Sequence, residues 1–256
     1  MAQCILTPAA GKRLIGRALA VHPAVIKALD SGTIVIIAGT TNGYAAEEIL
    51  KKSGQEKEFS RSHFIRGVTM PPDKKTTENG RLPDESEFPG DVIIKNGRLI
   101  KGKTIFDLAD DLKKGDVILK GANCVNLAQK KAGILIGHPR GGTIAAAVPA
   151  LIGRRVRIII PAGLEKRVSD DIDKIAGLLN SPESSGPRLF PAPGEIFTEI
   201  DAVKLLSGAD ACLTAAGGVC GAEGAVWLFL TGTSEQVENA RNIINEISGE
   251  PRFALP

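Results

Sequence analysis

Three glycine-bearing loops gather the groups best suited to chemistry: residues 39–43, 121–123 and 137–142. In Gly39-Thr40-Thr41-Asn42-Gly43, backbone N–H groups, two hydroxyls and the start of a helix together favour an anion. A glycine turn with threonine caps would leave the same string. Neither G-x-G-x-x-G nor the Walker A Gly-Lys-Ser/Thr is present there, which disfavours NAD and ATP sites of those types. Lys120 stands beside Gly121, and Arg140 stands before Gly141, Gly142 and Thr143. Both are placed to neutralise a phosphate or carboxylate, or to be solvated cations at strand ends. His138 offers an imidazole that could act as acid or base, or be an ordinary loop residue ahead of Pro139. Cys124 would be nucleophilic if a cation lowered its pKa. With no histidine beside it in sequence, a buried structural cysteine is the favoured reading.

Elements that alternate between buried strands and helices must position these loops. Thr7-Pro8 caps and opens one helix, and Pro23 starts a second. Thr33-Ile34-Val35-Ile36-Ile37-Ala38 is a continuous apolar run bounded by glycines, the mark of a strand buried on both faces. A helix over Tyr44 to Lys52 follows, then a strand over His63 to Met70 and a polar, proline-bearing loop over 71–90. Asp91 to Ile100 reads as a hairpin turning at Asn96-Gly97. Next come a helix from Thr104 to Leu112, a strand from Asp116 to Lys120 and a short helix from Val125 to Lys131. A strand from Gly133 to Gly137 leads to an alanine-rich helix from Thr143, disturbed at Pro149. The strand Arg155 to Ile160 and the helix Val168 to Leu179 complete the series. This alternation predicts an α/β fold with a mostly parallel, Rossmann-like sheet. The three loops then fall at the carboxyl ends of strands, where open parallel sheets bind ligands.

Near residue 190 the pattern changes. Ser181 to Pro193 holds four prolines and reads as a linker. Beyond it lie a strand (Glu195 to Ile200), a helix (Asp201 to Leu206) and two strands (Ala209 to Ala216, Ala225 to Thr231). Ser234 then caps an amphipathic helix carrying Val237, Ala240, Ile243, Ile244 and Ile247, and Phe253 to Leu255 supplies an edge strand. The order βαββαβ is that of a small ferredoxin-like α+β lid. The expected division is therefore 1–194 for an α/β ligand-binding domain and 195–256 for the lid. Gly217, Gly218, Gly221 and Gly224 either let a hairpin turn or let the lid backbone approach a ligand.

Charge follows the same division. Residues 195–256 hold nine acidic and three basic residues, and the remainder holds 20 acidic and 29 basic. A basic large part suits a small anionic ligand. With eight Phe, one Tyr and one Trp, stacking aromatics do not accompany the basic residues, which disfavours nucleic acid. The 29 glycines, about 11% of the chain against a usual ~7%, suit a turn-rich protein with an aliphatic core. No apolar run reaches the roughly 18 residues a membrane span needs, and no secretory signal is expected. Four cysteines without C-x-x-C spacing and three scattered histidines suit a cytoplasmic protein with reduced thiols and no zinc site.

The loops, taken in order, resemble the superfamily that contains ribose-5-phosphate isomerase type A, glucosamine-6-phosphate deaminase and the CoA transferases. Ala38-Gly39-Thr40-Thr41-Asn42 stands where the isomerase has the phosphate loop G-T-G-S-T. Lys120-Gly121-Ala122-Asn123-Cys124-Val125-Asn126 resembles its D-G-A-D-E-x-D segment. His138-Pro139-Arg140-Gly141-Gly142-Thr143 resembles K-G-G-G-G-A, and Ile158 to Lys166 resembles the strand ending in D-E-S-K. The resemblance implies a phosphorylated ligand over these loops and a small lid. It also implies a departure. Two aspartates and a glutamate transfer protons in the isomerase, where Asn123, Asn126 and Ala145-Ala146-Ala147 stand here. An amide hydrogen-bonds a hydroxyl but is no general base near neutral pH. Glu78-Asn79-Gly80 is similar to the glutamate segment of some CoA transferases.

The leading expectation is a protein that binds a small anionic, phosphorylated metabolite and is not a standard ribose-5-phosphate isomerase. The ligand-binding residues would be Gly39, Thr40, Thr41, Asn42, Gly121, Asn123, Asn126, Arg140, Gly141, Gly142 and Thr143. No cofactor, metal, nucleic acid or membrane is expected, and a homo-oligomer is compatible with this reading. The alternatives are a non-catalytic metabolite-sensing or interaction protein, and an enzyme with a rebuilt site built on Lys120, His138 or Cys124, acting on sugar phosphates or acyl-CoA.

Overall fold

The computed structural model describes every residue except 68, 71–72, 75–79, 81, 83–86 and 255–256. Strand β1 (Ala2–Leu6) ends at Thr7, whose hydroxyl accepts from Ala10 N at 3.2 Å, and Pro8 opens α1 (Pro8–Leu19). His22 caps α2 (Pro23–Ser31) in the same way, its Nδ1 accepting from Ala24 N at 3.2 Å. The short β2 (Thr33–Ile36) then leads directly into α3 (Thr40–Lys52). Gly16 of α1 lies against the Tyr44 backbone of α3, where a Cβ would come within 2.8 Å of the Tyr44 carbonyl oxygen. Only glycine lets these two helices approach so closely.

A six-stranded sheet forms the centre. Its order is β10 (Glu195–Phe197), β8 (Arg157–Pro161), β5 (Val117–Leu119), β2, β3 (Val92–Lys95), β4 (Arg98–Ile100). The first four strands run parallel, and the β3–β4 hairpin continues the sheet antiparallel. Asn96 and Gly97 turn that hairpin with φ of 49° and 75°, the left-handed pair of a type I′ turn. Alternate residues point to opposite faces. Ile34, Ile36, Leu119 and Ile159 join a core with α1 and α3. Val35, Ile118, Ile158 and Ile160 join a second core with α4 (Ile105–Leu108) and α5 (Gly142–Arg154). Each fully buried Ile or Leu contributes about 1.5–3 kcal/mol of transfer free energy.

Two three-stranded antiparallel sheets flank this centre. One consists of β6 (Cys124–Asn126), β7 (Lys131–Ile136) and β9 (Arg188–Pro191), with α6 (Ile172–Leu179) against it. The other has the order β1, β12 (Ala225–Thr231), β11 (Asp210–Gly217), packed with α7 (Glu199–Ser207) and α8 (Ser234–Ile247). Among the described residues, no helix is long and apolar enough to cross a membrane.

Several expectations change. His63 to Gly67 is irregular, and both edges of β2 are already taken by β3 and β5. The short helix expected at Val125–Lys131 is a hairpin: Asn126 Oδ1 accepts from Gln129 N at 2.9 Å, Lys130 adopts a φ of 50°, and β6 pairs with β7. The expected linker contains β9, whose closing Pro191 is tolerated because the strand lies at a sheet edge. The tail does not form the βαββαβ order by itself. Its first strand, β10, pairs with β8 in the large sheet, and the N-terminal β1 occupies the edge beside β12. Phe253 and Ala254 are not in a strand, and Leu255 lies outside the described residues. The helix cap is Thr233, one residue before Ser234, in a capping box with Gln236.

Candidate functional site

β2 and β5 end side by side, and each delivers one of the expected loops. After β2, Gly39 precedes the first turn of α3, where the N–H groups of Thr40, Thr41 and Asn42 lack intrahelical acceptors. Asn42 is fully buried and faces inward, donating to Ile37 O at 2.7 Å and Leu119 O at 3.0 Å. Its amide nitrogen therefore ties the two strand ends together. Thr41 is 2% exposed, and its Oγ1 has no hydrogen-bond partner among the described residues. After β5, Lys120 to Asn123 cross to β6.

Between these loops lies a cavity of about 340 Å³, lined by Gly39 to Asn42, Lys120 to Asn123, Arg66, Lys12, Glu165 and Lys166. This volume is within the range of small-ligand sites. Four cations face it. Lys12 on α1 pairs with Glu165 at 2.8 Å, and Arg66 pairs with the buried Asp91 at 3.0 Å. Lys166, in the 3-10 turn Leu164–Lys166 after β8, donates to Ala122 O at 2.8 Å. Lys120 donates to Gly121 O at 3.3 Å. Burial, reinforced by Lys166 and Arg66 and opposed by Asp91, lowers the Lys120 amine to about 8. Burial also lowers Lys166, with Glu165 opposing and Lys12 adding to the effect.

Two carboxylates have divergent environments here. Burial raises Glu165, but Lys12 and Lys166 outweigh it and hold the group below its ordinary value. Glu199, on α7 and 1% exposed, is pushed up to about 8 by burial and by Glu165. Its Oε2 accepts from Leu164 N at 2.9 Å, which fixes the turn that carries Glu165 and Lys166. Asp91 plays a similar part on the other side. Its Oδ1 accepts from Ala38 N at 3.0 Å and its Oδ2 from Ile105 N at 2.8 Å, so it joins β2, Arg66 and α4.

The third loop follows β7, in a flanking sheet rather than the parallel one, and still reaches the same place. A second cavity of about 180 Å³ is lined by Gly137, His138, Gly141, Gly142, Thr143, Ile134, Ile136 and Phe106. It shares Arg66, Gly67, Lys120 and Asn123 with the first. Gly141 adopts a φ of 77° as the N-cap of α5, so this cavity too has a helix N-terminus in its wall. His138 Nδ1 accepts from Arg140 N at 3.1 Å and helps to shape that turn.

Eleven of the fourteen residues expected from sequence therefore line one of two connected cavities, and Cys124, Asn126 and Arg140 do not. The Cys124 thiol packs beside the Ile172 and Leu189 cluster, and burial pushes its pKa up, as suits a structural cysteine. Asn126 spends its amide on Ser169 O and Asp170 O, and Arg140 is exposed. Asn123 is also occupied, donating to Gly67 O at 3.3 Å and accepting from Leu135 N at 2.9 Å. No base stands at that position. Glu78 and Asn79 lie outside the described residues. Lys12, Arg66, Asp91 and Glu199 were not singled out from sequence, since no short motif surrounds any of them. Glu165 and Lys166 were present in the string that follows β8. Comparison of the chain with known protein families finds none that matches, and comparison with curated proteins finds no match.

Proposed function

We propose that the chain binds a small anionic, phosphorylated metabolite, with the anionic group at the N-terminus of α3. The observation that carries this reading is the set of cations around one helix start. Arg66, Lys12, Lys120 and Lys166 line a cavity whose own carboxylate, Glu165, is already paired with Lys12. Like charges crowded in a buried space raise the free energy of the empty site, and an anion relieves it. Thr41 Oγ1 adds an unused donor within the first turn. The resemblance of residues 38–42 to a sugar-phosphate loop supports the same ligand class, and the reading needs no proton transfer by Asn123. Gly224, in the β11–β12 turn, stands near Pro8 and Glu165, so the small sheet reaches the cavity edge. We read this part as its lid.

Titration calorimetry with inorganic phosphate tests the reading. The full chain should bind, and Lys166→Met should weaken binding about 10- to 100-fold, as a charge-assisted contact of ~1.5–3 kcal/mol predicts. Equal affinity in the two proteins would sink the proposal.

A further inference from the structure

Lys120 stands where the two cavities meet, between the N-termini of α3 and α5. The other cations of the polar cavity are tied down, Lys12 by Glu165, Arg66 by Asp91 and Lys166 by Ala122 O. Lys120 makes one weak contact with the carbonyl of its own neighbour, and among the described residues no carboxylate pairs with it. One side of Lys120 thus offers an anion site. The other offers an apolar-walled recess of about 180 Å³ formed by Ile134, Ile136 and Phe106.

We infer that Lys120 is a nucleophilic amine that condenses with the carbonyl group of a phosphorylated aldehyde or ketone whose phosphate sits at the start of α3. The inference rests on the anion-binding reading of that helix start. The unprotonated Nζ attacks the carbonyl carbon and a C–N bond forms. The two N–H hydrogens leave with the carbonyl oxygen as water, and a C=N imine remains. No oxidant or reductant is consumed. The environment supplies the free amine: burial, with Lys166 and Arg66 adding to it and Asp91 opposing, brings Lys120 to about 8. At neutral pH about one amine in ten is then unprotonated, against about three in ten thousand for an ordinary lysine. Lys12 and Glu165 face the same cavity as a matched pair. A bound phosphate raises the amine again, because the lowering by Lys166 and Arg66 is already present in the empty site.

The test uses the full chain with glycolaldehyde phosphate and cyanoborohydride, which fixes an imine as a secondary amine, followed by peptide mass mapping. Lys120 should be labelled ~10-fold faster than exposed lysines, with a rate that climbs through an inflection near 8. Inorganic phosphate should slow this labelling, and unphosphorylated glycolaldehyde should lack the preference. Lys120→Arg should lose the label, and its phosphate affinity, measured separately, shows whether the cavity is intact. If phosphate binds but Lys120 reacts no faster than surface lysines, the imine is overturned and the anion site stands. If Lys120 is labelled preferentially but phosphate has no effect, the phosphorylated substrate is overturned. If phosphate does not bind and Lys120 shows no preference, both readings fall.

Discussion

The two ends of the central sheet carry two different hollows. The one at the amino ends of the strands is larger, about 750 Å³ against about 340 Å³ at the carboxyl ends. It is lined by His22, Lys113, Asp116, Arg155 and Arg157, so charge is not what it lacks. Its cations lie in solvent instead: Lys27, Lys113, Lys114, Arg155 and Arg157 are all exposed. Glu195 holds the His22 ring at 3.1 Å and Arg157 at 3.0 Å, and Asp116 accepts from Thr33 N at 2.7 Å and Lys113 N at 2.8 Å. The α5 helix also ends there, presenting carbonyl oxygens. At the carboxyl ends the helices start, and buried cations outnumber the carboxylates that face them. Volume therefore does not set the two hollows apart as candidates for an anion. The direction of the backbone does, because a helix that follows a parallel strand must begin where the strand finishes.

The buried aspartates at the two ends offer the sharpest way to break this comparison. Asp91→Ala removes the acceptor of two backbone N–H groups and the carboxylate that Arg66 meets at 3.0 Å. It is expected to cost ~3–5 kcal/mol in urea denaturation and to abolish phosphate binding. Asp116→Ala strands two N–H groups but no cation of the site. It should cost ~2–3 kcal/mol and leave phosphate affinity unchanged. Loss of affinity in both variants would mean that the two ends do not differ as described.

Glu199 gives the next largest effect. Its folded pKa of about 8 lies above that of an unfolded glutamate, ~4.3, so folding takes up a proton between these values and stability falls as pH rises through this window. Glu199→Gln should therefore change little near pH ~4 and stabilise by ~1–2 kcal/mol near pH ~9, its amide oxygen still accepting from Leu164 N. Denaturation curves that respond identically at both pH values would remove the idea that strained charge is stored at the carboxyl end. The smallest expected change comes from Thr41→Val. Stability should move by less than ~0.5 kcal/mol, because the buried hydroxyl has no partner among the described residues to lose, while phosphate affinity drops ~3- to 5-fold.

Parts of this arrangement are legible in the chain because they are local. The apolar run 33–38, the Asn96-Gly97 turn and the Thr7-Pro8 start each combine a short-range steric rule with a hydrophobic pattern, and each appears where expected. β1 was not anticipated, since Gln3 to Leu6 pairs with residues more than two hundred positions away. The same limit applies to 63–67, where Phe64 and Ile65 are buried without a free strand edge to join. For the site, Thr41, Lys120 and Gly141 were legible as loop residues at strand ends. Asp91 and Glu199 were not, because a carboxylate that holds distant backbone N–H groups leaves no mark on its own neighbours in sequence.

Sequence alone thus determined the buried strand that begins at Thr33, the Asn96-Gly97 turn, the Thr7-Pro8 helix start, and that a basic body lacks stacking aromatics. Only the tertiary structure decided that Lys12, Arg66, Lys120 and Lys166 share one cavity, that Asn126 and Cys124 lie outside it, and that β1 closes the sheet of the tail. Local propensity acts over a few residues of chain. Desolvation and Coulomb energy act over a few ångströms of space, and the fold alone converts one distance into the other.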